Sequence, residues 1–251
     1  MQLGSKTVAI VTGGASGLGL ATVELLLQRQ CKVVAADFNE EKGAELIKSF
    51  ENGNLRYFKC DVQNEEEIKN LIEFTVKEFG QINLVVNSAG IPSAQMTATR
   101  SSVASTSEMN ILLQINVIGT FNVCKYAAQH MINSKVKGVI VNVASLAGIE
   151  GQRGQVIYSA SKGAVIAMTL PMARDLGKHG IRVVAIAPGI IYTPMFEMIQ
   201  PKIKEQLESQ VALGRLGAAK EFAQLVEMIY QSEYLTGCVL RLDGGLRVPH
   251  L

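Results

Sequence analysis

Apolar positions along this chain fall into short unbroken runs separated by longer amphipathic stretches. Residues 7–11, 32–36, 55–59, 82–86, 139–143, 182–187 and 238–242 are rich in Val and Ile. Several show almost no alternation, the pattern of strands buried on both faces. Helical spacing runs between them over 18–29, 40–50, 64–79, 108–133, 156–177 and 219–231. Strand and helix alternating in this way predict an α/β protein, a doubly wound parallel sheet with helices on both faces. No linker, charge block or repeat divides the 251 residues, so one domain is expected. Two stretches break the rhythm. Residues 93–107 are rich in Ser, Thr and Ala, with Arg100 their only charge, and read as a surface loop before a helix. Residues 188–213 hold Met195, Phe196, Met198 and Ile199 around two prolines, and read either as a lid or binding loop or as a packed helical hairpin.

Composition narrows the classes. There are 24 basic and 22 acidic residues, a formal charge of +2, and no basic cluster, so neither nucleic-acid nor membrane binding is expected. No run approaches the ~18 apolar residues of a spanning helix. Residues 7–12 are too short for a secretory apolar region, and no cleavable transit peptide is visible. Cys31, Cys60, Cys124 and Cys238 form no CxxC pair and read as free buried thiols. His130, His179 and His250 have no partner at ligand spacing, so no metal is expected.

The first strand runs into Thr12-Gly13-Gly14-Ala15-Ser16-Gly17-Leu18-Gly19, where a helix opens. The spacing departs from G-x-G-x-x-G. The physics is shared: glycines allow a tight turn and let backbone N–H groups approach a pyrophosphate at the positive end of a helix. A plain strand-to-helix turn is the alternative. Asp37 ends the second strand eighteen residues after Gly19, near the ~20 expected for the acid that bonds an adenosine ribose. A carboxylate there repels a 2′-phosphate and no cation stands beside it, which predicts NAD rather than NADP. Asp61 and Val62 close the third strand, and Asn87, Ser88, Ala89 and Gly90 the fourth. Ligands of open α/β sheets bind at such carboxyl ends, although Asp61 alone reads equally as a helix N-cap.

Tyr158 and Lys162 are i,i+4 neighbours on one predicted helical face. An ammonium ~4 Å away is expected to draw the tyrosine down by roughly three pK units, into the range of general acid–base chemistry. Ser145 lies thirteen residues before Tyr158, just past the fifth strand, placed to hold a substrate oxygen beside it. Singly, such residues read as caps or surface pairs; the joint order gives them weight.

Residues 12–19, Asn87 to Gly90, Asn116, Ser145, Tyr158, Lys162, Pro188 and Gly189 together resemble the short-chain dehydrogenase/reductase family, across nearly the whole chain. The resemblance implies a seven-stranded parallel Rossmann sheet and a tetrad of Asn116, Ser145, Tyr158 and Lys162. Asn116 would hold a water relaying protons to Lys162, and Lys162 would also bond the nicotinamide ribose. It further implies cofactor contacts from Ser16, Leu18, Ser88, Ile191 and Thr193, and a homotetramer. A narrower likeness, in 12–22, 116–123, 158–176 and 241–247, is to members that oxidise 3-hydroxyacyl-CoA or hydroxysteroids with NAD, with Gln155 as a substrate-side residue. It implies residence in the mitochondrial matrix for a eukaryotic source and the cytoplasm otherwise. Two departures stand out. The loop at 93–107 lacks the lysines of those members, which weakens the case for coenzyme A phosphates, and Ala219 replaces a usual proline. Two other functions stay open: a reductase of 3-oxoacyl groups on acyl carrier protein, which usually takes NADPH, and a non-catalytic scaffold in tRNA processing.

Overall fold

The computed structural model describes residues 1–50, 53–192 and 201–247. In chain order, β1 (Val8–Thr12) leads to α1 (Gly17–Gln28), β2 (Lys32–Asp37) to α2 (Glu40–Ser49), and β3 (Leu55–Lys59) to α3 (Glu65–Phe79). After β4 (Leu84–Asn87) and a long loop come α4 (Thr106–Leu113), a π-helical segment at Gln114–Gly119 and α5 (Thr120–Asn133). Then follow β5 (Gly138–Val143), a 3-10 turn at Leu146–Gly148, α6 (Val156–Gly177) and β6 (Ile181–Pro188). The last part holds β7 (Ile191–Tyr192), α7 (Pro201–Ser209), β8 (Gly217–Ala218), α8 (Ala219–Gln231) and β9 (Val239–Leu242).

Seven strands form one sheet in the order β3-β2-β1-β4-β5-β6-β9, parallel throughout. This is the doubly wound Rossmann arrangement that the pattern predicts. The near-continuous apolar runs have a simple cause, because alternate residues serve two cores. Ala9, Val11, Val33 and Val141 pack with Val23 and Leu26 of α1 and Phe222 and Val226 of α8. Their neighbours Ile10, Val34 and Ile140 turn to the other face, onto Leu71 of α3, Val123 and Met131 of α5 and Ala173 of α6. Both faces being apolar, polar ligands are left the carboxyl edge. β1 pairs with both β2 and β4, so the chain switches sides of the sheet there and a crevice opens.

The helices over 156–177 and 219–231 fall where their periodicity puts them. The structure departs from expectation elsewhere. β4 starts two residues late, and the helix expected at 108–133 begins at Thr106, where the Ser105 side chain accepts the Glu108 N–H, and widens into the π segment. Residues 93–105 are a surface loop, but pinned by an Ala98–Val103 bridge. Within 188–213, β7 and α7 form, and β7 pairs with β8 in a small second sheet. Met195, Phe196, Met198 and Ile199 of that stretch lie outside the described residues. The spans Thr106–Asn133 and Val156–Gly177 are long and apolar enough to cross a membrane by length and composition, which the sequence reading did not expect. In the fold they lie against the sheet.

Arg182 on β6 is 8% exposed. Its Nη1 donates to the carbonyls of Ile229 (2.8 Å) and Leu235 (3.0 Å), and its Nη2 to Tyr230 (2.8 Å). The guanidinium thus closes the C-terminal end of α8, where unpaired carbonyls and the helix dipole favour a cation. Arg182→Met strands these carbonyls and is expected to cost roughly 3 kcal/mol. Urea unfolding followed by circular dichroism checks this, and a change below about 1 kcal/mol contradicts it.

Candidate active site

The chain leaves β1 through Gly13, whose φ is +65°, and a Cβ there would lie 2.9 Å from Ala89 N. A Cβ on Gly19 would lie 2.1 Å from Gly13 O. The loop is therefore folded on itself and against the segment leaving β4, and only glycine fits either place. Ser16 stands at the N-cap of α1 without a side-chain cap bond, which leaves the first N–H groups of the helix open for an anion.

Asp37 is fixed from three sides. Its Oδ2 accepts Ala15 N at 3.1 Å, its Oδ1 accepts Asn39 N at 3.0 Å, and its carbonyl accepts the Tyr57 hydroxyl at 2.8 Å. It stands on a groove of about 490 Å³ together with Gly13, Ser16, Gly17, Leu18, Asp61, Val62, Ser88 and Gly90. The N-cap of α3 is Asn64, not Asp61. Asp61 instead accepts Gln63 N at 2.9 Å in a turn and keeps its carboxylate on the groove wall. A second cleft, also about 490 Å³, shares Leu18, Ser88, Gly90 and Ile91 with the first and continues to Ser145, Gln155, Tyr158, Lys162 and Ile191. Two joined compartments, one with a glycine cradle and a ribose-side acid, fit a dinucleotide.

At the far end, α6 presents Tyr158 and Lys162 one turn apart. Lys162 is 5% exposed, and its Nζ donates to Val143 O at 2.8 Å, the last carbonyl of β5. Burial pulls its ammonium down to about 8. Burial pushes the Tyr158 phenol up, and the nearby Ser145 hydroxyl pulls it partly back. This corrects the expected lysine-lowered tyrosine. Nζ lies 5.8 Å from the Tyr158 ring centre and donates to Val143, so in the free protein desolvation dominates. Ser145 Oγ also accepts Ala147 N at 3.1 Å, which fixes it at the start of the turn after β5.

Asn116 sits in the π segment, fully buried behind Gly90. Its Oδ1 accepts Ile91 N at 2.9 Å, and its Nδ2 donates to Ile91 O (3.0 Å) and Ser161 Oγ (3.1 Å). The side chain thus ties the segment leaving β4 to α6, three residues from Tyr158, and does not reach the cleft. A Cβ on Gly90 would lie 3.1 Å from Asn116 Oδ1 and 3.5 Å from Lys162 Nζ, so the three pack as one unit. Asn87 is likewise inside, its Nδ2 donating to Asn142 Oδ1 at 2.8 Å and to the Cys124 sulfur at 3.2 Å. Burial pushes the Cys124 and Cys60 thiols up to about 12, as expected of inert core thiols. Thr193 lies outside the described residues.

Sequence reasoning missed a set of polar ties around the substrate side. Glu108 accepts the Ser93 hydroxyl at 2.6 Å and the Gln95 side-chain amide, and Gln95 N donates to Gly154 O at 2.7 Å. The loop at 93–105 is thereby bound to the start of α6 beside Gln155. Only the serine-to-glutamate spacing at Ser105 and Glu108, a helix-start signal, was open to sequence reading.

A dinucleotide groove that runs into a serine, tyrosine and lysine centre defines an oxidoreductase acting on CH–OH groups with a nicotinamide cofactor. Residues 7–204 match the short chain dehydrogenase family, and the chain belongs to that family. It is 40% identical over 249 residues to the 3-hydroxyacyl-CoA dehydrogenase type-2 of Rattus norvegicus, covering 96% of this chain and 95% of the relative. The Drosophila melanogaster protein of the same name is 41% identical over 251 residues, 97% and 98% of the two chains. A 3-oxoacyl-(acyl-carrier-protein) reductase of Thermotoga maritima is 37% identical over 250 residues, 98% and 99% of the two.

The buried ammonium has a measurable consequence. Between pH 8 and 10.5 the unfolded chain still binds the Lys162 proton while the folded chain has released it, so this group makes stability rise with pH. The stability of Lys162→Met relative to the parent should therefore be greater at pH 7 than at pH 10.5, by roughly 3 kcal/mol. Paired urea titrations at the two pH values check the sign.

Proposed function

We propose that this chain is an NAD-dependent dehydrogenase that interconverts the secondary alcohol and ketone of a 3-hydroxyacyl-CoA or a hydroxysteroid. The observation that carries the reading is the Tyr158 phenol, lining with Ser145 and Lys162 the end of a cleft that opens into the Asp37-walled groove. Names of the mammalian and insect relatives supply the acyl substrate, and Pro92, Leu146, Ile190 and Leu246 supply an apolar wall for it.

When bound, the nicotinamide supplies or takes the hydride. Ser145 holds the substrate oxygen against Tyr158, whose Oη gives a proton to the forming alkoxide in reduction and takes it in oxidation. Lys162 sets the charge next to this exchange and bonds the nicotinamide ribose. Asn116, through Ile91 and Ser161, keeps the Gly90 segment and α6 in register. Asp37 accepts from an adenosine ribose and opposes a 2′-phosphate, so kcat/KM should favour NAD over NADP by about 100-fold. The same argument sets the carrier-protein reductase reading, raised by the Thermotoga relative, in second place. Acetoacetyl-CoA, acetoacetyl carrier protein and a hydroxysteroid, each assayed with both cofactors, separate the readings. Tyr158→Phe should lower turnover roughly 10²–10⁴-fold and leave NADH binding by fluorescence nearly unchanged. Lost binding would make the tyrosine structural.

A homotetramer belongs to the same proposal. Ile118 and Phe121 (43% and 44% exposed) flank the start of α5, and Leu170 and Met228 (44% and 41%) stand out on α6 and α8. β9 is an edge strand, partly exposed along its length. Apolar faces and an open edge of this kind suit self-association. Light scattering should give four times the 27.1 kDa chain mass, and a monomer mass would contradict it.

A further inference from the structure

The walls of the substrate cleft come from segments far apart in the chain. The guanidinium of Arg241 joins them at the shortest distances, with Arg247 beside it on the same partners at 3.8 Å from Glu150 and 3.3 Å from Asp243. Arg241 on β9 donates through Nη1 to Glu150 Oε1 at 2.5 Å, through Nη2 to Leu246 O at 3.2 Å and through Nε to Asp243 Oδ2 at 2.7 Å. Glu150 and Leu246 both line the cleft, the first on the loop that carries Ser145, the second on the C-terminal segment. Asp243 extends the tie. Its Oδ1 and backbone carbonyl accept Gly245 N and Leu246 N at 3.0 and 2.9 Å, and a Cβ on Gly189, just past β6, would lie 2.8 Å from its own Cβ. Arg241 and Glu150 are 26% and 27% exposed and Asp243 9%, so the contacts are partly shielded from water and outweigh an ordinary surface pair.

We propose that Arg241 is a positioning and specificity-determining residue, whose bracket on Glu150, Asp243 and Leu246 sets the width of the cleft beyond the reacting carbon. The inference rests on the reading that this cleft takes a ketone or alcohol, and it concerns the part of the substrate that extends past the hydride-transfer position. Arg241 touches neither Tyr158 nor the dinucleotide groove. Its loss therefore loosens the two cleft walls, leaving the longer Arg247 contacts between them, without removing the proton donor. A small substrate does not span the walls; a long or bulky one does.

The test compares Arg241→Met, Arg241→Lys and Glu150→Gln across 3-ketones of increasing size. Arg241→Met should raise KM about tenfold more for the largest ketone than for the smallest, with kcat moving less than KM and the NADH Kd shifting less than about twofold. Lysine, which reaches one acceptor in place of three, should fall between the parent and methionine. Hydrogen exchange on the free protein should quicken together at 146–150 and 245–246 in Arg241→Met. Should that variant not fold, Glu150→Gln weakens only the link between the walls and should show the same size dependence in smaller measure. Equal KM changes across the series, or unchanged exchange in the two segments, would overturn the proposal. Absence of ketone turnover in the parent protein would sink the functional reading instead, and the exchange result would still decide whether the bracket couples the walls.

Discussion

A lysine ammonium held out of water at the carboxyl edge of the sheet is the constraint on which the site depends. Such a charge in an apolar place costs several kcal/mol unless something accepts from it. Here the acceptor is the last carbonyl of β5, 2.8 Å away. This one bond couples the register of α6 to the length of β5, because moving either by a residue would strand the charge. Tyr158 lies one turn earlier on the same helix and Ser145 two residues past the same strand, so both inherit their positions from it. The same burial that makes Lys162 easy to deprotonate makes Tyr158 hard to ionise. In the free protein the two titrations are therefore driven apart, the lysine losing its proton well before the tyrosine does.

Around that charge, small residues and buried amides act as spacers. Gly90 lets Asn116 and Lys162 approach from one side, and Gly148 packs against the backbone of α6, where a Cβ would lie 2.7 Å from Lys162 C. The π segment brings Asn116 to face Ile91 and Ser161, which a straight helix with the same residues would not do without turning other side chains out of the core. Asn116 works as a strut. Its whole side-chain capacity goes into holding two elements together, which is a different use of a polar core residue from contact with a ligand.

Legibility in the sequence followed locality. The strands and α6 were readable because each is a continuous pattern whose period reflects burial on one face or two. The glycine turn was readable because Gly13, Gly17 and Gly19 are neighbours in the chain, and Asp37 because a strand-helix-strand unit sets its distance from the turn. The ties of Gln95 to Glu108 and Gly154 were not, since a serine- and threonine-rich segment has no period and the partners are set by tertiary contact. Asn87 misled for a related reason: its place at a strand end is right, but whether its side chain points to the edge or to a helix depends on Asn142 and Cys124, which lie 37 or more residues away. The tyrosine shift also went the other way, because the pairwise attraction was counted and the cost of desolvating the phenolate was not.

The two halves of the site therefore differ in kind. The dinucleotide half is made by contiguous turns at the ends of β1, β2, β3 and β4, tied by short bonds such as Ala15 N to Asp37 and Gln63 N to Asp61. The substrate half is assembled from the loop after β5, the segment after β6, α7 and the residues past β9, joined by long-range backbone bonds such as Gly189 N to Leu242 O and by the Arg241 side chain. Among the described residues, Leu18, Ser88, Gly90 and Ile91 alone belong to both. A change in Glu150, Leu207 or Leu246 can reshape the outer cleft without touching the glycine turn, whereas any change at Gly90 disturbs both compartments and the lysine between them. The chemistry is held by the shared wall and β5. Substrate choice rests on walls drawn from segments distant in the chain, which is why hydride transfer reads more directly from this chain than the molecule it serves.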